Sequence, residues 1–208
     1  MNTAPDLIAA MNTSLTLFGF AEAPTQAVKP FISHGVEAML RHSIAQPIEA
    51  DLLDNLVSAT LEHYEYNIAN ESTLFSGMAD TLENIEAKNL KWGVITNKRE
   101  RFTLPLMNAL KLTDRAACII SGDTTANSKP HPEPMRKGCQ MAQVLSEECV
   151  YIGDARHDIT AGQAVNMKTL VATYGYLQPD DQPELWGADA LVDSPFQINT
   201  WIDAALCH

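Results

Sequence analysis

Along the first 72 residues apolar positions recur every three or four: Leu7, Ile8, Met11 and Leu15, then Val36, Met39 and Leu40, then Leu52, Leu53, Leu56, Leu61 and Tyr64. That spacing puts an apolar stripe on a helix, and breaks at Gly19, Pro24, Pro30, Gly35 and Pro47 divide the segment into about four helices. The chain opens "MNTAPDLIAA", where Thr or Asn suits an N-cap, proline fits the first turn, and Asp6 meets the positive end of the helix dipole. From about residue 73 the pattern changes. Short apolar runs, "WGVIT", "AACIIS", "CVYIG" and "TLVAT", alternate with amphipathic stretches of helical length. Buried strands alternating with helices predict an α/β domain with a parallel sheet, whose ligands bind beyond the carboxyl ends of the strands. The expected division is a helical domain over 1–72 and an α/β domain over 73–208, with "ESTLFSG" as the hinge.

Charge narrows the partners. The 208 residues carry a formal charge of −12, from 14 basic and 26 acidic side chains without a basic cluster. That argues against nucleic acid and anionic membrane surfaces, but not against a small anionic ligand held by local dipoles, a metal ion or one well-placed cation. No apolar run approaches the ~18 residues of a membrane span, and the N-terminus lacks the pattern of a secretory signal. The four cysteines, Cys118, Cys139, Cys149 and Cys207, show no CxxC spacing, so reduced thiols and a cytoplasmic location are expected.

The strand ends hold the candidate chemistry. "WGVIT" runs into Thr96, Asn97 and Lys98 before a helix, a turn that suits phosphate oxygens or, equally, simple helix capping. In "SGDTTANSKPHPEP", Lys129 precedes Pro130 and is held extended, either to reach into a site or as an ordinary surface lysine. In "CVYIGDARHDITAG", Gly153 allows a tight turn, and Asp154 and Asp158 follow four apart. Two such carboxylates with waters fit octahedral Mg²⁺, whereas the plainer alternative is a capping Asp154 and a solvated Asp158.

In that order, strand–Thr, loop–Lys–Pro and strand–GDxxxD resemble motifs two, three and four of the haloacid dehalogenase superfamily, whose members are mostly phosphatases. The resemblance covers nearly the whole chain. The helical front looks like the cap of the phosphoglycolate phosphatase branch. "WGVITNKRERF", "SGDTTANSKPHPEP", "CVYIGDARHDITAGQAVNMKTLVATYGYL" and "WGADALVDSP" look especially like bacterial phosphoglycolate or N-acetylmuramic acid 6-phosphate phosphatases. The resemblance implies a Rossmann-like core, Mg²⁺ as cofactor and a small phosphorylated metabolite as substrate. Thr96 and Lys129 are then catalytic, Thr96, Asn97 and Lys129 bind phosphate, and Asp154 and Asp158 form the metal site. In the cap, "FISHGVEAMLRH" offers Ser33, His34 and Arg41 as contacts to the leaving group; the alternative is that His34 caps a helix and Arg41 is solvated.

One element of the pattern is absent from these 208 residues. The family's nucleophile lies in a DxDGT motif after a central first strand, and no DxDGT occurs in this sequence. The sequence is therefore expected to begin within the spacer after that motif, with Met1 an internal codon of a longer reading frame. A truncated gene and a non-catalytic binding relative are the alternatives. The expected consequences are an inactive chain and a vacancy two strand spacings wide, roughly 9–10 Å, between the strands ending at Thr96 and Asp154. A receiver domain also uses Asp, Thr and Lys at strand ends, but the helical front and the Lys129–Pro130 loop disfavour it. No GxGxxG marks a nicotinamide site.

Overall fold

The computed structural model describes residues 1–207, which form two compact units: 1–73 with 176–180, and 74–175 with 181–207. The first unit is helical, with α1 (Ala4–Leu17), α2 (Thr25–Val28), α3 (Val36–Ser43) and α4 (Ala50–Tyr66), and a 3₁₀ turn at Lys29–His34. Helix α1 packs on α4, and Met11, Leu15, Met39, Leu40, Leu56 and Tyr64 are its most deeply buried large side chains. The apolar stripe of the sequence is thus the core of this unit.

The start of α1 departs from the expected capping. Thr3 occupies the N-cap but makes no side-chain cap bond. The N–H groups of Thr3 and Ala4 instead donate to the Tyr176 hydroxyl, at 2.9 and 3.1 Å. Asp6 does more than meet a dipole: its carboxylate accepts the N–H groups of Glu71 and Ser72 and the Ser72 hydroxyl, and Asn2 bridges Thr73 in antiparallel fashion. Both ends of the 1–73 segment are therefore tied together, and Tyr176 joins this unit through α1.

The second unit alternates α5 (Met78–Ala87), β1 (Val94–Ile95), α6 (Glu100–Ala109), β2 (Ile119–Ile120), α7 (Glu133–Ala142), β3 (Val150–Gly153), α8 (Arg156–Gln163), β4 (Lys168–Ala172), β5 (Ala190–Val192) and α9 (Pro195–Leu206). All strand pairs are parallel, in register Val94↔Ile119, Val150↔Lys168 and Leu170↔Ala190. The four apolar runs each contain one strand. Strand β5 is too short a run, three apolar residues between Asp189 and Asp193, to stand out in the sequence. Alternate side chains of β3 serve opposite faces: Val150 and Ile152 join Leu170, Val192, Ile198 and Ile202, while Tyr151 joins Met135, Ala161 and Met167. Both faces are covered, which explains why the strands read as continuous apolar runs.

The strands form two sheets, β1–β2 and β3–β4–β5, and among the described residues no ladder joins β1 to β3. The N–H groups of Val94 and Thr96 pair with β2, so the alternation of a parallel strand turns the backbone of Ile95 the other way. Its carbonyl accepts Lys129 Nζ at 2.9 Å and the Tyr151 hydroxyl at 2.7 Å. Two side chains thus satisfy the Ile95 carbonyl on this edge.

Candidate functional site

The segments that follow β1, β2 and β3 bring Thr96, Asn97, Lys129, Asp154 and Asp158 into one unit. Lys129 is the centre of the arrangement. Its ammonium donates to Ile95 O, to the Tyr151 hydroxyl at 2.8 Å and to Asp158 Oδ1 at 2.6 Å. An ammonium has three protons, and here each has an acceptor. Burial alone would lower the lysine's pKa, but the Tyr151 oxygen and the Asp158 carboxylate outweigh it and hold Lys129 above the ordinary lysine value. Lys129 is therefore a permanent buried cation. Tyr151, a partner the sequence pattern does not single out, is pushed up to about 12 by burial and stays a neutral hydroxyl.

Asp158 sits in the first turn of α8. Oδ1 takes Lys129, and Oδ2 accepts the backbone N–H groups of Asp154 and Ala155, each at 3.2 Å. It is a buried anchor, not the solvated carboxylate of the plainer alternative. Gly153 is what admits it: a Cβ there would overlap the Asp158 carboxylate. Gly153→Ala is accordingly expected to displace the Lys129–Asp158 pair and lower unfolding free energy by about 1–3 kcal/mol, as overpacking does, measured by urea denaturation.

Thr96 follows β1, and its Oγ1 accepts the Lys98 N–H at 3.1 Å. Desolvation lowers the Lys98 ammonium to about 8, although the residue keeps partial contact with water. The Asn97 amide is engaged on the backbone of Lys129, donating from Nδ2 to its carbonyl and accepting its N–H on Oδ1, both at 3.0 Å. Asp123, which no motif singles out, caps α6 by accepting the Glu100 N–H at 2.8 Å.

Asp154 follows β3, with its carboxylate against Gly175, where a Cβ would overlap it. Tyr174 lies close enough that burial and the Asp154 charge together push its hydroxyl up to about 12. Among the described residues no three acidic, histidine or cysteine side chains cluster as a closed metal site. Mg²⁺ keeps several waters and needs only one or two protein carboxylates, and the glycine-walled Asp154 carboxylate fits that role. Asp158, whose Oδ1 takes Lys129 and whose Oδ2 takes the Asp154 and Ala155 amides, fixes the backbone from which the Asp154 carboxylate projects.

The expected cap residues lie in the helical unit. Ser33 and His34 end the 3₁₀ turn, the Gln178 amide lies 3.1 Å from His34 Nδ1, and Gly35 turns the chain into α3 with φ of +88°. Arg41 pairs with Glu37 at 2.9 Å on an exposed helix face.

Known proteins resemble this chain in sequence and in fold. The family model of the haloacid dehalogenase-like hydrolases matches residues 1–172. An N-acetylmuramic acid 6-phosphate phosphatase of Pseudomonas putida is 39% identical over 207 residues, covering 100% of this chain and 93% of its own length. A phosphoglycolate phosphatase of Xanthomonas campestris is 35% identical over 205 residues, covering 99% and 91%. The crystal structure of a predicted phosphoglycolate phosphatase from Haemophilus somnus superposes with a TM-score of 0.84 at 22% identity, over 97% of this chain and 92% of that one, a likeness of fold. No helix among the described residues is long and apolar enough to cross a membrane. With a family match over most of its length and its three motifs at successive strand ends, this chain belongs to the haloacid dehalogenase-like hydrolases.

Proposed function

We propose that this chain recognises a phosphomonoester, a small phosphorylated acid or sugar, as a phosphatase of the phosphoglycolate phosphatase type, and that its 208 residues alone do not turn it over. The observation that carries the first half is the buried Lys129 cation, pinned by Asp158 beside Thr96 and Asp154. Phosphoryl transfer depends on positioning and charge neutralisation, which is what such a constellation supplies. The Thr96 hydroxyl is placed to donate to a phosphoryl oxygen. Lys129 neutralises the phosphoryl charge by giving up one of its present acceptors. Mg²⁺, held by Asp154, would supply further positive charge to the phosphoryl group. The helical unit acts as the cap, with Ser33, His34 and Arg41 as candidates for the leaving group; Arg41 would first have to leave Glu37.

The second half rests on the sequence. In-line displacement needs an attacking group, and the family's DxDGT aspartate is not among these residues. The separation of β1 from β3 is consistent with the family's first strand lying between them. The rival reading, a non-catalytic ligand-binding relative, draws support from the ammonium's three internal acceptors. Phosphate release from phosphoglycolate and N-acetylmuramic acid 6-phosphate with Mg²⁺ is expected to equal the protein-free blank. Orthophosphate should bind by calorimetry, and Thr96→Val should weaken it. Release above the blank overturns the inactivity, and no orthophosphate binding overturns the phosphate site.

A further inference from the structure

We infer that Asn97 is a positioning residue for Lys129, acting on that lysine's backbone and through it on the ammonium. The inference rests on the phosphate-site reading only for its functional consequence. Its geometric basis is independent. The Asn97 amide pairs with both backbone groups of a residue 32 positions away, Nδ2 to Lys129 O and Oδ1 to Lys129 N–H, each at 3.0 Å. A two-point bond of this kind fixes direction as well as distance, as one rung of a β-ladder would. The loop it grips contains Ser128, Lys129 and Pro130 and has no regular element of its own. Asn97 itself is fixed from the opposite side: Gly122 packs so closely on its carbonyl that a Cβ would collide with it, and the Gly122 N–H donates to Lys98 O at 2.8 Å. The turn after β1 is thus tied to the loop after β2 at two places, Gly122 and Lys129.

The other end of Lys129 is equally constrained. Its ammonium meets Ile95 O, Tyr151 and Asp158 at once, and a shift of the Cα would make the flexible stem change rotamer to keep all three. Asn97 follows Ile95 by two residues, so the same strand end holds the lysine at its backbone and receives it at its tip. The amide uses one of its two Nδ2 hydrogens for this and keeps the second for a phosphoryl oxygen.

The ammonium of Lys129, observed in ¹⁵N-lysine-labelled full chain, should show slow hydrogen exchange because all three protons are bonded and buried. In Asn97→Ala that exchange is expected to rise at least tenfold and orthophosphate affinity to fall about fivefold, the affinity loss following from a misplaced cation. In Thr96→Val the affinity should fall while the ammonium signal stays as it is. An unchanged ammonium in Asn97→Ala overturns the inference, and if affinity alone falls Asn97 is a direct ligand. Should Asn97→Ala not fold, the unmodified chain decides: the Lys129 backbone N–H should be protected from exchange, and rapid exchange there overturns the clamp. If orthophosphate fails to bind the unmodified chain, the phosphate-site reading falls, and the ammonium measurement still judges the clamp.

Discussion

Lys129→Met should lower the free energy of unfolding by about 3–5 kcal/mol, the cost of breaking a buried ion pair by removing one partner. The lysine and aspartate side chains are each 6% exposed, so solvent cannot take over the freed Asp158 carboxylate. Methionine fills the volume of the stem, which confines the loss to the charge and its hydrogen bonds. The Tyr151 hydroxyl loses a donor but keeps its bond to Ile95 O. The double variant Lys129→Met with Asp158→Asn should recover part of the loss, since a neutral amide is cheaper to bury than an orphaned carboxylate. A Lys129→Met chain within about 0.5 kcal/mol of the parent by urea denaturation would show the pair to be solvated, since surface substitutions fall in that range. The sign of the pH dependence follows from the raised lysine. The contribution is complete below the ordinary lysine value and disappears only as pH climbs through the higher folded-state value. Neutral and mildly acidic solutions should therefore not alter it through Lys129.

This pair also marks the boundary between what local sequence encodes and what only the fold brings together. The i, i+3, i+4 stripes of 1–72 are a local signal, and the helices they predict are present. Thr96, Lys129, Asp154 and Asp158 were legible as strand-end chemistry because parallel sheets place ligands there, and the structure gathers them in one unit. Their division of labour was not legible. That Asn97 spends its amide on Lys129, that Asp158 gives Oδ1 to Lys129, and that Tyr151 completes the ammonium shell all depend on contacts across 22 to 34 positions. No period or spacing encodes these. The same holds for Tyr176, which serves the amides at the start of α1 from more than 170 residues away, where local capping rules assign the role to Thr3. Strand β5 escaped for a different reason: three residues fall below the length at which an apolar run is distinguishable from chance.

The second large effect is expected at Asp6. In "MNTAPDLIAA" it reads as one more favourable acid in a first helical turn, a contribution of about 0.3–1 kcal/mol that salt would screen. The structure buries it, at 4% exposure, and gives its carboxylate three donors: Glu71 N–H at 2.9 Å, Ser72 N–H at 2.8 Å and Ser72 Oγ at 2.5 Å. Hydrogen bonds to a charged acceptor contribute about 1.5–3 kcal/mol each and are not additive, so Asp6→Ala should cost about 3 kcal/mol and leave a buried Ser72 amide without its partner. Asp6→Asn retains one carbonyl acceptor and should lose about half as much. Salt distinguishes the two views. A dipole interaction at an exposed helix start fades in molar salt, whereas the buried contacts persist, so the Asp6→Ala deficit should be nearly the same at low and high ionic strength. Hydrogen exchange places the damage: the Ser72 amide should lose protection, while the Lys129 region, in the other unit, keeps its own. A deficit below about 1 kcal/mol that vanishes in salt would return Asp6 to the role its sequence position suggests. The larger value would mean that this carboxylate is the main tie between α1 and the segment that leads out of the helical unit.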